Sequence, residues 1–251
     1  MSQLKLSLVA GIALGIASAA NAGLYSFNLR VDWAGEAWDS DSYPDAYEVI
    51  PGSSAGEATV HGIWSQAEWG IEFWLGFDDG NGDERSGGPR LVTANLVLTN
   101  TTAAAQDFSV TTLLFLGGPK GPANQMRGFH SGSVGDNSIA QDGATLTNNL
   151  AGDPLYTALM DGASVQTLRD NPQLFTAAGG STNTIPTTSF GSPAFIMGPA
   201  ANASIGIINR FRLSPDDSTT QQSTFLINPV PTPGAISLIG LAGIAGLRRR
   251  R

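Results

Sequence analysis

The chain has 251 residues, no cysteine, 13 Lys and Arg against 21 Asp and Glu, and a formal net charge of −8. Lack of cysteine excludes disulfides, thiolate nucleophiles and cysteine-ligated metals, and the acidic balance lacks the basic surface that binding nucleic acid requires. Thirty-one glycines and 14 prolines suit short strands and turns better than long helices.

The N-terminus carries one positive charge, Lys5, and then a small-residue apolar run from Leu6 to about Ala19. Ala20-Asn21-Ala22 follows and fits the small-x-small cleavage rule, so residues 1–22 are expected to form a secretory signal peptide cut before Gly23. The body, 23–229, reads as strands. Tyr25, Phe27, Leu29, Val31 and Trp33 alternate with polar residues, the period of a half-buried strand. The pattern returns at Trp69–Phe77, Val92–Leu98 and Phe108–Leu114. Asn100 to Gln106 is polar and short, so the last two runs are expected to pair as a hairpin. Gly117–Gly143 and Ala177–Pro193 are rich in small polar residues and read as long loops. Leu155–Met160 and Ala163–Leu168 could form a helix, but Asp161-Gly162 between them favours a type I′ hairpin. Ile205, Ile207, Phe211 and Leu213 mark a late strand, Ser214–Asp217 a turn, and Phe225 and Ile227 the start of the last strand. Eight or more such strands imply an all-β fold, an antiparallel β-sandwich of jelly-roll-like type.

Excluding Lys5 and the last four arginines, 8 basic and 21 acidic side chains remain, a net of −13. Thirteen of the acids lie between Asp32 and Glu84, a stretch with no Lys or Arg. Two readings are open: solubility, or association with divalent cations or a polysaccharide matrix. Asp79, Asn81 and Asp83 have the spacing of the first ligands of a calcium loop, with Asp78 as a further donor. The rest of an EF-hand is missing: Glu84 stands where a glycine is needed and Arg90 where the bidentate glutamate belongs. An acidic hairpin turn explains the same residues. No cofactor is otherwise expected. If the loop holds Ca²⁺, a chelator will lower the melting temperature; equal melts with and without it exclude the ion.

All five tryptophans, Trp33, Trp38, Trp64, Trp69 and Trp74, lie in the acidic segment. Indoles beside carboxylates offer a sugar an apolar platform and hydrogen-bond acceptors. Trp33 and Trp69 fall on apolar faces and are expected in the core. Trp74 falls on a polar face and Trp38 in an expected loop, which makes these two the platform candidates. Gly52-Ser53-Ser54-Ala55-Gly56 has the form of a nucleophile elbow, but Pro51 precedes it and no α/β pattern surrounds it, so it reads as a loop. His61 and His130 lack metal-ligand or catalytic spacing and read as surface residues. No residue set amounts to a catalytic site, and no enzymatic activity is expected.

The C-terminus, 230–251, has three parts: Val230-Pro231-Thr232-Pro233, an apolar run from Gly234 to Leu247, and Arg248, Arg249, Arg250 and Arg251. Fourteen residues at about 1.5 Å each cover roughly 21 Å of a hydrocarbon core of roughly 30 Å, so the run enters a bilayer but spans it poorly. The arginines match a cytoplasmic end. The pattern resembles the PEP-CTERM sorting signal of bacterial surface proteins, with Thr232 where that motif carries glutamate. The resemblance implies retention at the membrane through the tail until an exosortase-like transpeptidase removes it. A plain tail anchor is the alternative. Asn95–Asn100 followed by Gln106–Val110, and Gly143–Leu146 followed by Tyr156–Gly162, are similar to stretches of the β-sandwich domains carried by such proteins. The expected partners are a signal peptidase, the exosortase-like enzyme, the membrane and an extracellular polysaccharide. The expected role is structural or interactive at the cell surface or in an extracellular matrix; a carbohydrate-binding module or a polysaccharide-acting enzyme are the alternatives.

Overall fold

The computed structural model describes residues 26–54, 56–78, 90–119 and 121–230. The signal-peptide residues Ala20, Ala22 and Gly23, the loop residues Asp79, Asn81 and Asp83, and the tail from Pro231 onward lie outside them. In chain order the strands are β1 (Phe27–Trp33), β2 (Glu36–Asp39), β3 (Tyr47–Pro51), β4 (Glu57–Ser65), β5 (Trp69–Asp78), β6 (Arg90–Asn100), β7 (Gln106–Phe115) and β8 (Asn124–Gly135). They continue as β9 (Ala144–Thr147), β10 (Tyr156–Met160), β11 (Ala163–Leu168), β12 (Leu174–Ala177), β13 (Thr182–Phe190), β14 (Ile196–Gly198), β15 (Ser204–Leu213) and β16 (Ser218–Pro229). Two short 3₁₀ turns, Ser40–Ser42 and Pro44–Ala46, link β2 to β3. Among the described residues no helix is long and apolar enough to cross a membrane.

The strands form two antiparallel sheets, and the fold is an all-β sandwich. One sheet runs β11-β10-β15-β7-β1-β2, with β9 on β15 and β12 on β9; the other runs β13-β8-β16-β6-β5-β4-β3, with β14 on β8. Alternation does the assembling. Leu29, Val31 and Trp33 of β1 and Ile71, Phe73 and Leu75 of β5 turn inward and are buried, while the residues between them stay partly exposed. Aromatic pairs bridge the sheets: Phe27 stacks on Phe77 at 5.3 Å and Trp33 meets Trp69 at 4.8 Å.

The acidic segment builds one flank of both sheets, including the edge strands β2 and β3. Exposed carboxylates such as Glu36 and Glu48 lie on these edges, where charge discourages edge-to-edge pairing. This supplies a structural reason for the uneven charge.

The Asp161-Gly162 hairpin forms as expected, with φ of 51° and 78°, both in the left-handed region that a type I′ turn requires. Three other expectations are corrected. First, β6 and β7 are no hairpin: β6 pairs with β5 and β16, β7 with β1 and β15, and the chain crosses between sheets at 101–105. The crossing is held by Asn100, which is fully buried. Its Nδ2 donates to the carbonyls of Ala104, Leu213 and Ser214, and its Oδ1 accepts from Thr102. One side chain thus ties the β6–β7 crossing to the β15–β16 crossing beside it, giving the nested ribbon of a jelly-roll-like sandwich.

Second, the presumed loops 117–143 and 177–193 contain β8 and β13. Third, the last strand starts at Ser218, well before Phe225. The cause lies in how weakly their inward faces are marked: β8 and β16 carry polar residues and glycine in the inward series, and β13 buries only Ile185 and Phe190. In β8 the inward series is Met126, Gly128, His130 and Gly132; in β16 it opens with Thr219, Gln221 and Ser223. Gly128 leaves room for its neighbours: a Cβ there would lie 2.5 Å from Cε1 of Phe190 and 2.7 Å from the Tyr156 hydroxyl.

Candidate functional site

Between β8 and β16 the sandwich has a polar interior. His130 is fully buried, which corrects its expected place in a surface loop. Its Nε2 lies 2.6 Å from Oε1 of Gln221 and its Nδ1 3.1 Å from Nε of Arg169. Arg169 can only donate, so Nδ1 accepts and Nε2 carries the proton. Gln221 passes the chain on to Thr219 at 2.6 Å, and Thr219 donates to the Ser133 carbonyl at 2.7 Å. Arg169 also donates to the Pro186 carbonyl. Burial holds the His130 pKa down at about 4, helped by the Arg169 charge and opposed by the bond to Gln221. With every polar atom of the ring occupied, this histidine serves packing.

Two aspartates act as clamps. The Asp161 carboxylate, in the hairpin turn, accepts from the N–H groups of Asn202, Ala203 and Ser204 and from Nδ2 of Asn202. Burial raises its pKa, but these bonds outweigh it and hold the carboxyl below its ordinary value. Asp136 accepts from the N–H groups of Gly180, Ser138 and Gly143, and the Gly180 bond foremost lowers its pKa to about 2. Both join loops that sequence spacing leaves unconnected.

The five tryptophans divide unequally. Trp33 and Trp69 are core, as expected. Trp38 is core as well, 1% exposed, which corrects its assignment to a loop and removes it as a platform. It sits on β2 opposite Val31 and packs against Tyr43, Trp64 and Phe73. Trp74 is 37% exposed on the outer face of the second sheet. The His61 ring stacks on it at 4.9 Å and 14°. His61 in turn lies between Glu72, at 3.3 Å, and Glu48, at 3.7 Å.

Register places Trp74 in a continuous outward row. Ser131 faces Gln222, Gln222 faces Asn95, Asn95 faces Trp74, Trp74 faces His61 and His61 faces Glu48. Sequence reasoning found Trp74 and missed the others, because Ser, Gln and Asn on a strand carry no signal of which face they occupy. Next to Ser131, where β13 is bulged between Ile185 and Thr188, lies a groove of about 250 Å³ lined by Ser131, Ser133, Thr184, Thr187, Thr220 and Gln222. A second groove, about 310 Å³, lies at the β1–β2 turn. It is lined by Arg30 and Asp32, paired at 2.7 Å, by Asp107, paired with Arg212 at 3.2 Å, and by the exposed Glu36.

Of the Gly52–Gly56 segment, the described residues Gly52, Ser53, Ser54 and Gly56 lie between β3 and β4, and Glu57 accepts from Oγ of Ser53 and the N–H of Ser54. The segment is a strand-to-strand turn, as the absence of an α/β pattern implied. Asp78 ends β5. Val230 follows β16 and donates to the Ala123 carbonyl at 3.0 Å. No protein-family model and no curated protein sequence matches the chain.

Proposed function

We propose that this is an exported, envelope-sorted β-sandwich with a structural or interaction role at the cell surface or in an extracellular matrix, acting by binding and not by catalysis. The observation that carries the binding role is the outer face around Trp74: an aromatic ring, two carboxylates and a row of uncharged polar side chains across four neighbouring strands. An open sheet face of this kind suits extended partners, whereas small-molecule chemistry favours concave, largely apolar pockets. The export and sorting parts rest on Ala20-Asn21-Ala22, the Val230–Pro233 motif, the apolar run and the terminal arginines.

Intact mass of the protein recovered from envelope and medium tests the sorting. The expected species begins at Gly23 and ends near Pro233, made by a signal peptidase and an exosortase-like transpeptidase. A species that keeps Arg248 to Arg251 would instead be a sandwich held at the membrane by its own tail. A second reading, a binding module for extracellular polysaccharide, is favoured by the exposure of Trp74; Trp38 no longer contributes to it.

A further inference from the structure

We infer that the outer face of the second sheet binds a neutral polysaccharide chain, laid across the strands from the groove at the β13 bulge, over Gln222 and Asn95, to the partly exposed ring of Trp74 on the side away from His61. This rests on the polysaccharide reading above and adds to it a site and a ligand charge.

Geometry sets the direction. His61 covers one face of the Trp74 ring, on the β4 side. The other face turns toward β6, where Asn95 stands opposite and exposed. Two strands further on are Gln222 and then Ser131 at the mouth of the groove. Ser131 to Trp74 crosses three strand spacings, roughly 14 Å at about 4.8 Å each. That length holds several sugar rings in line.

Chemistry sets the ligand. The groove presents four hydroxyls besides Ser131's, from Ser133, Thr184, Thr187 and Thr220, and the Gln222 amide. Hydroxyls and amides each donate and accept, which is what sugar hydroxyls need on both counts. Trp74 supplies the apolar plate for a ring face. A peptide adding as a strand would need a sheet edge, since the backbone groups of β16, β6 and β5 are already used in their ladders.

Charge narrows it further. The row holds no Lys or Arg. Arg127, outward on β8, is tied to the carbonyls of Gly191 and Pro193. Glu48 and Glu72 flank the Trp74–His61 end. A polyuronate would meet repulsion there and no counter-charge along the row, whereas a neutral chain meets neither.

The test is affinity electrophoresis of the full chain in gels containing xylan, galactomannan, hydroxyethyl cellulose, dextran or agarose, with alginate as the anionic polymer. At least one neutral polymer should retard the protein and alginate should not. Trp74→Ala should weaken retardation about tenfold. Gln222→Ala and Thr187→Arg, both at exposed positions, should weaken it several-fold without moving the melting temperature. Retardation by alginate alone, or retardation that depends on Trp74 but ignores Gln222→Ala and Thr187→Arg, overturns this strip while the polysaccharide reading survives. If none of the polymers retards the folded protein, both are wrong.

Discussion

Trp38→Ala is expected to cost about 3–5 kcal/mol of folding free energy, the range for deleting a large buried aromatic side chain. Trp74→Ala should cost less than about 1 kcal/mol, since it removes a side chain that is already more than a third exposed. The two residues look alike in the sequence, being acidic-segment tryptophans outside any apolar stripe. The difference lies in what covers them. Trp38 packs against the touching pair Tyr43 and Trp64 and reaches Phe73 on the facing sheet, so its loss leaves a cavity under an edge strand only four residues long. For a body of this size each kcal/mol moves the melting temperature by about 2–4 °C, so Trp38→Ala should melt roughly 10 °C lower. Chemical denaturation of the two variants side by side measures this. A Trp38→Ala protein that melts like the wild type yet no longer binds polymer would restore Trp38 as a platform and contradict its burial.

The same contrast shows where sequence reasoning reaches and where it stops. β1, β5, β6, β7 and β15 were legible because apolar residues turn inward against an apolar partner, which leaves a period-two trace. The Asp161-Gly162 turn was legible because few dipeptides adopt two left-handed conformations in succession. Polar interiors leave no such trace. Thr219, Gln221 and Ser223 face inward on β16, while Thr220 and Gln222 face out, and the two sets look the same until their partners are known. The β6–β7 crossing failed for another reason. A short polar turn says that the chain reverses; whether the strands pair or change sheets depends on Asn100 reaching Leu213 and Ser214, more than a hundred residues away. Likewise, the binding row needs register, and register brings Ser131, Asn95 and Trp74 together from three separate strands.

Acid should expose the cost of that polar interior. Unfolded, His130 takes up a proton near its ordinary pKa of 6.5; folded, it resists protonation until about pH 4. Between these values the unfolded chain binds more protons, so stability is complete above about pH 6.5 and declines as pH falls toward 4. The full difference amounts to about 3 kcal/mol. The groups packed on the ring explain why it cannot charge cheaply. Gln221 accepts its one proton, Arg169 brings a positive charge to Nδ1, and Tyr156, its ring 6.2 Å away, donates its hydroxyl to the Thr224 carbonyl. Asp136 and Asp161, both held below their ordinary values, lose their stabilising effect at lower pH still. The Asp217 carboxyl, raised chiefly by burial, acts in the opposite sense, since its proton favours the folded state. Denaturant titrations at pH 7 and pH 4.5 therefore should show a drop of about 2–3 kcal/mol in the wild type. His130→Gln should be less stable at pH 7, because Arg169 loses its acceptor, but should show a visibly shallower drop between the two pH values. If the wild-type slope persists in His130→Gln, the acid sensitivity originates elsewhere, and the buried ring is not the group that resists protonation.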